Sequence, residues 1–386
     1  MNDFNKEDLD YCLQTKVAIR CQQVSKVVEE IRDIFQALTL DVSSKDSRFQ
    51  PILSCSYNTD SIKEQPAILA KWSALLNGQH PYHPAIQVLS PTFFVIYVPL
   101  FGLTEYKDVK QKQWRYYTIS GTKLLTPVRE PEKRHQWLRL ENFQRNSWGW
   151  NNADVITEGD IVPAKVMDVF RDLLKNATQN CKLTDKVSLL ETIGPVIRVA
   201  VQTLELQVEA ELVPMVELSS WPKKARWPRF LQRWLPREKT RCVKSFGFNL
   251  TAQSNYHWQL SFTRSERVLL QGIDEDGGCR LKCFRVLRQL KEDVWCPSSR
   301  PVITSYHLQT ILLWSCEKHP YSKQWRNFKK CFMRLVKKLY KCVRQRFLRH
   351  YFVKGHNLLK NANVHEMDLV AQKLADFLKN PQIYFQ

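Results

Sequence analysis

Acidic residues are in short supply. The 386-residue chain carries 38 Asp and Glu against 58 Lys and Arg, a formal net charge of +20. That surplus favours an acidic partner: nucleic acid, nucleotides or an anionic surface. Long apolar runs are missing as well. No segment reaches the ~20 residues that span a bilayer, so no membrane insertion is expected. The polar N-terminus, Met1-Asn-Asp-Phe-Asn-Lys-Glu-Asp-Leu-Asp10, does not read as a secretory signal. Eleven cysteines are scattered without the dense spacing of a disulfide framework, which points to reduced thiols in cytosol or nucleus. There is no glycine-rich phosphate loop, and neither His307 nor His319 has a paired ligand at metal-binding spacing.

A local absence matters more. The chain is organised around the apolar stretch Ile86-Gln-Val-Leu-Ser-Pro-Thr-Phe-Phe-Val-Ile-Tyr-Val-Pro-Leu100, which reads as one strand. From Phe93 to Val98 every residue is aromatic or β-branched, which predicts a strand buried on both faces in the middle of a sheet. It contains neither Asp nor Glu, so an enzyme that must hold metal on this strand has nothing there to hold it with.

Around this strand the periodicity predicts a mixed first part and a helical second part. Leu13, Val17, Cys21, Val24, Val28, Ile31, Phe35 and Leu38 recur at spacings of three and four, a long amphipathic helix. Pro66, Gly78, Pro81 and Pro84 mark 61–85 as a surface excursion. Trp114–Gly121 reads as a strand, and 127–151 as a loop with one helix. Pro163 suits the first turn of a helix whose apolar face is Val166, Val169, Phe170, Leu173 and Leu174. Val187–Leu190 and Val196–Val201 read as paired strands. From Leu204 the alternation places Glu205, Gln207, Glu209 and Glu211 on one face of a further strand. Beyond Trp221-Pro222 and Trp227-Pro228, apolar stripes predict helices: Cys279 to Leu290, Leu308 to Cys316, Phe328 to Phe347, and Leu369 to Phe377.

Three blocks carry a resemblance: Trp258-Gln-Leu-Ser-Phe-Thr-Arg-Ser-Glu266, Cys279-Arg-Leu-Lys-Cys-Phe-Arg-Val-Leu-Arg-Gln-Leu-Lys291, and Thr304-Ser-Tyr-His-Leu-Gln-Thr310 followed by Cys316-Glu-Lys-His-Pro320. In order and spacing the chain resembles the Mab-21 family over nearly its whole length. The resemblance implies an α+β fold: the bilobal nucleotidyltransferase fold shared with cyclic GMP-AMP synthase. Residues 1–235 would form the mixed-sheet lobe with a long N-terminal spine helix and the 61–85 insertion. Residues 236–386 would form the helical lobe. Active relatives in that wider group hold two magnesium ions with three carboxylates. Two lie as acid-x-acid on the first core strand after a Gly-Ser turn, and one lies on a neighbouring strand. The paired metals bind the attacking and leaving oxygens together.

Carried onto this sequence, the two strand acids fall on Phe93 and Val95, and no Gly-Ser occurs in 61–85. The third acid is Glu211, or Glu209 if the register differs. One carboxylate cannot organise two metals, so the resemblance implies a pseudoenzyme with no metal cofactor. Nucleotide-contacting positions of the second lobe fall on Gln259, Arg288, Ser305 and Tyr306, residue types able to hold phosphate or stack a base. Each also has a plain structural role open to it: solvated helix face, helix cap, or packing. The relatives' zinc thumb falls on Gln271–Gly278, which has neither His nor paired Cys, so no zinc is expected.

Two basic segments add a further expectation. Lys329, Lys330, Arg334, Lys337, Lys338, Lys341 and Arg344 lie on one helix without an acid between them, and suit an anion-binding surface or a solvated face. Lys223, Lys224, Arg226, Arg229, Arg233, Arg237 and Arg241 are interleaved with Trp221, Trp227 and Trp234, whose rings would stack on bases or anchor a hinge. The function expected is that of a binding or scaffold protein in cytosol or nucleus, with an unnamed protein partner and room for a nucleotide between the lobes. The resemblance adds developmental and cell-fate control. The alternatives are a nucleotidyltransferase with a non-standard metal set, drawing on Glu209, Glu211 and an acid from 61–85, and a nucleic-acid binder.

Overall fold

The computed structural model describes residues 4–52, 85–101, 103–105, 143–145, 156–157, 160–161, 163–191, 196–218, 221–222, 225, 227–229, 234–252, 255, 258–353 and 355–385. Trp114–Gly121, nearly all of the 61–85 excursion, and 127–151 apart from 143–145 lie outside them.

The chain enters through helix α1 (Lys6–Cys12), closed at its start by a reciprocal pair between Asn5 and Asp8. A π-helical turn (Leu13–Val17) passes it into α2 (Ala18–Lys45). The helix expected over 13–38 is therefore longer at both ends. Val24, Val28, Ile31, Phe35 and Leu38 are buried as the period requires, with Val27 and Val42 added. Cys21, expected in the stripe, is exposed.

The apolar stretch 86–100 is not one strand. It is a hairpin of β1 (Ile86–Ser90) and β2 (Phe93–Pro99), paired antiparallel about Pro91-Thr92. Pro91 has no N–H for a ladder and fixes its φ, so the first strand ends there. In β2, Phe94, Ile96 and Val98 are fully buried, in one core with Ile31 and Phe35 of α2. Val166 and Phe170 of α3 (Pro163–Asn180) join the same core. Short strands β3 (Leu103–Glu105) and β4 (Phe143–Arg145) pair with each other, as do β5 (Ile156–Thr157) and β6 (Asp160–Ile161).

The longest strand joins the sheet. After β7 (Val187–Leu189) and β8 (Ile197–Gln202), β9 (Gln207–Leu218) runs parallel to β2 on one side. On its other side it pairs antiparallel with β8 and then with β10 (Phe248–Ala252), which carries β11 (Trp258–Ser261). Among the described residues the sheet has seven strands. The alternation expected from Leu204 begins only at Gln207. Leu204 and Glu205 form the β8–β9 turn, and Leu204 is 88% exposed. Two strands of this sheet, β10 and β11, follow residue 235, so the sheet draws on sequence from both sides of that division. Helix α4 (Arg237–Ser245) precedes them.

The remaining helices are α5 (Thr263–Leu270), α6 (Arg280–Leu290) with a π-helical turn (Lys291–Trp295), α7 (Ser305–Lys318), α8 (Phe328–Arg344) and α9 (Val364–Lys379). Their predicted stripes are buried, with two departures. Phe347 is 45% exposed because α8 stops at Arg344 and Arg346 turns at φ 51°, which breaks the phase. In α9 Leu369 faces out, and Met367 is buried with Val370, Leu374 and Phe377. No helix among the described residues is long and apolar enough to cross a membrane.

Candidate functional site

The parallel register of β2 against β9 decides where the acids stand. Phe93 is opposite Glu209 and Val95 is opposite Glu211, while β8 places Arg198 opposite Glu211. Residues opposite one another share a sheet face. Phe93, Val95, Glu209, Glu211 and Arg198 therefore form one patch, and both candidate acids lie on it.

This patch is occupied by arginine. Arg198 donates from Nη2 to Glu209 Oε2 at 2.8 Å. Arg300, in the segment before α7, reaches Glu209 Oε2 at 3.3 Å and Glu211 Oε1 at 3.4 Å. Its guanidinium lies over the Phe93 ring at 4.9 Å. The hydrogen bond from Arg198 holds the Glu209 carboxyl below its ordinary range. Burial pushes Glu211 upward, against the pull of Arg300 and Arg198. A planar cation thus bridges the two carboxylates across a face whose neighbouring positions are apolar. Neither arginine was singled out from sequence. Arg198 gave a faint signal as the one charge inside Val196-Ile-Arg-Val-Ala-Val201; Arg300 gave none.

The hairpin turn next to this patch is fastened to the second lobe. Lys291 Nζ donates to Leu89 O at 3.2 Å, and Ser90 Oγ donates to Ser299 O at 3.1 Å. Glu292 Oε1 accepts from Arg288 Nε at 3.0 Å and lies 3.6 Å from Lys291 Nζ. Arg20 of α2 adds a bond to Asp293 at 3.1 Å. The space left between Arg20, Thr92, Glu292 and Ser298 is about 200 Å³, below the ~300–1,000 Å³ usual for small-molecule sites.

The nucleotide candidates occupy separate settings. Gln259 is half-buried on β11 opposite Thr251. Arg288 is tied to Glu292 on α6. Ser305 and Tyr306 begin α7, and its N-cap is Thr304, whose N–H donates to His307 Nδ1 at 2.9 Å. Ser305 Oγ is buried without a hydrogen-bond partner among the described residues.

Tyr306 belongs to a directed chain of bonds. His350 Nδ1 accepts from the N–H groups of Phe352 and Val353, so its proton resides on Nε2. Nε2–H then donates to the Tyr306 oxygen at 3.0 Å, and the Tyr306 hydroxyl donates to Glu266 Oε1 at 3.0 Å. Gln309 Nε2 donates to Glu266 Oε2 at 3.2 Å. The hydroxyl is consumed by these partners. Tyr306→Phe leaves a buried donor and a buried carboxylate short of one bond each, and is expected to destabilise the protein by about 1–3 kcal/mol in urea unfolding. A variant as stable as wild type would show that the relay is not formed.

The basic helix is not uniform. Lys329, Lys330, Lys337, Lys341 and Arg344 are exposed on α8. Arg334 instead lies over Trp325 at 4.6 Å and donates to Gln324 O at 3.1 Å. Lys338 is partly buried and donates to Ser315 Oγ at 3.3 Å. In the second cluster, Trp221 and Trp227 pack against each other and on Phe352, with ring centroids 5.4–5.6 Å apart. They anchor the core rather than offer faces to bases. Lys223, Lys224, Arg226 and Arg233 lie outside the described residues.

The turn before α6 is held by carboxylates. Asp274 accepts from the N–H groups of Arg280 and Leu281 at 2.8 Å each, and Asp276 Oδ1 accepts from Arg280 Nη1 at 2.6 Å. Cys279 and Cys283 are buried, with sulfurs 3.8 Å apart. Among the described residues no three His, Cys, Asp or Glu side chains are grouped so as to hold a metal.

Comparison with known proteins matches residues 82–272 to the Mab-21 protein nucleotidyltransferase domain and residues 279–376 to the Mab-21 protein HhH/H2TH-like domain. The chain is 57% identical over 385 residues to protein mab-21-like 3 of Danio rerio, covering 100% of both chains. It is 48% identical over 384 residues to protein mab-21-like 3 of Xenopus laevis, covering 99% of this chain and 98% of that one. Protein mab-21-like of Aedes aegypti is 24% identical over 376 residues, covering 92% of this chain and 87% of its own.

Proposed function

The chain belongs to the Mab-21 family, and on that premise we propose that it is a catalytically silent nucleotidyltransferase-fold protein that works by binding rather than by turnover. One observation carries this reading. Where two metals would sit, Arg300 bridges Glu209 and Glu211, and the neighbouring strand offers Phe93 and Val95. A metal contributes several kcal/mol of transition-state charge stabilisation. Two carboxylates already neutralised by arginines are a poor cradle for a pair of divalent ions. No metal cofactor and no zinc are part of this proposal. In this reading the protein acts as a scaffold in cytosol or nucleus, and a part in developmental or cell-fate regulation is proposed with it.

A nucleotide held by Arg288, Ser305 and Tyr306 is a finer form of the same proposal. It requires Arg288 to exchange Glu292 for phosphate and Tyr306 to offer its ring face, because the Tyr306 hydroxyl is already bonded to Glu266 and His350. Thermal melting with each nucleoside triphosphate, with and without magnesium, tests it. A rise in melting temperature that is independent of magnesium and lost in Arg288→Ala is expected. A rise that depends on magnesium would return the enzyme reading.

A second reading has its own support. The exposed Lys330, Lys337, Lys341 and Arg344 form no ion pair with any described carboxylate. As a nucleic-acid track they would give affinity that falls steeply with salt, and charge reversal at Lys330, Lys337, Lys341 and Arg344 would abolish it. Binding that ignores salt would exclude this reading.

A further inference from the structure

A second cavity lies far from the carboxylate patch in sequence, near the C-terminal ends of α7 and α8. Its volume is about 540 Å³, within the ~300–1,000 Å³ usual for small-molecule sites. Trp314, Phe347 and Leu348 supply apolar surface, and Lys318, Lys338 and Lys341 supply charge. Trp314 is held in place by its Nε1–H, which donates to Arg349 O at 2.8 Å, and by Arg229 stacked 4.2 Å from its ring. Among the described residues the one carboxylate in the lining is Glu317, which is already engaged by Arg229 and by the Tyr351 hydroxyl.

Among the described residues, Lys318, Lys338, Lys341 and Arg349 form no ion pair. Lys338 is the informative one. Its ammonium is partly withdrawn from water and, among the described residues, has the Ser315 Oγ hydroxyl as acceptor. Burial pushes its pKa down to about 8, so the charged form is the one that gains most from an added anion. Phe347 meanwhile remains 45% exposed at the mouth. A partly buried ammonium without an ion pair, beside an exposed aromatic ring, suits a ligand that carries both an anionic group and an apolar body.

We infer that this cavity binds a small amphipathic anion. Its phosphate, sulfonate or carboxylate head meets Lys338 and Lys341, and its flat or apolar body lies on Trp314 and Phe347. This differs from a nucleic-acid track along α8, because it uses the partly buried Lys338 and not the exposed Lys329 or Lys330.

Fluorescence titration with anilinonaphthalene sulfonate on the full chain tests the inference. Wild type is expected to bind the dye in an equimolar site. Lys338→Met, which keeps the stem and removes the charge, is expected to weaken it roughly tenfold. Phe347→Ser, at an exposed position that folding does not need, is expected to weaken it as well. Lys330→Met is expected to leave it unchanged. Displacement of the dye by adenosine monophosphate would assign the head group to a nucleotide-like ligand, and displacement by dodecanoate to a lipid-like one. Equal affinity in wild type and in both Lys338→Met and Phe347→Ser would overturn the inference, as would a wild-type protein that binds no dye.

Discussion

Glu292→Ala is expected to lower the unfolding free energy by about 3–5 kcal/mol, the range for breaking a buried pair by removing one partner. The Lys291 side chain is 1% exposed and that of Glu292 is 5% exposed, so neither charge can turn to water. Without Glu292, the Lys291 ammonium keeps, among the described residues, Leu89 O, a neutral acceptor on the hairpin, and Arg288 loses its bond to the same carboxylate. Burial already pulls the Lys291 pKa down, opposed chiefly by Glu292, and losing that partner removes most of the opposition. Lys291→Met with Glu292→Gln together should recover much of the loss, since it removes both charges at nearly constant volume. Urea unfolding at neutral pH reads all three. A Glu292→Ala protein within about 1 kcal/mol of wild type would mean that the pair is solvated in solution. The consequence reaches the cleft, because Lys291 is also one of the two groups that fasten the β1–β2 turn to the second lobe.

Acid should destabilise the fold well above the range of ordinary carboxylates. Burial pushes His350 down to about 3, and His307 and His356 down to about 4. Free histidine titrates near 6.5. Above that value both folded and unfolded chains keep these rings neutral, and their contribution is fully present. As pH falls from 6.5 toward 4, the unfolded chain takes up three protons that the folded chain refuses, and stability is lost. Each proton is worth ~1.4 kcal/mol per pH unit, so the three together approach roughly 4 kcal/mol per unit. Glu266 opposes them. Burial raises it to about 7 from its ordinary 4.5, so the folded chain holds a proton that the unfolded chain has lost, and its contribution grows as pH falls through that window. Urea midpoints at pH 7 and pH 5 should therefore differ strongly, and Glu266→Gln should make the acid loss steeper. Midpoints that do not move would show that the histidines are solvated.

What the sequence made legible was local. Spacings of three and four located the stripes of α2, α6, α7 and α8, and Pro163 located the start of α3. Alternation put Glu209 and Glu211 on one face, and this survives the later start of β9. Composition misled over 86–100, where a run of β-formers outweighed one proline and hid the hairpin. The site itself depends on pairings that no local pattern carries. Phe93 meets Glu209 through a parallel register more than a hundred residues apart in sequence. Arg300 reaches Glu209 across 91 positions. Tyr306 read equally well as a ligand contact or as packing. Its commitment to Glu266 and His350 depends on residues 40 and 44 positions away.

The silent-site reading stands or falls on turnover. The most direct measurement incubates the full chain with each nucleoside triphosphate and magnesium or manganese, and follows pyrophosphate and linked nucleotide products beside Glu211→Gln. With Arg300 bridging the only two carboxylates of the described patch, wild type is expected to give no product above the Glu211→Gln background. A metal-dependent product made by wild type and lost in Glu211→Gln would contradict it.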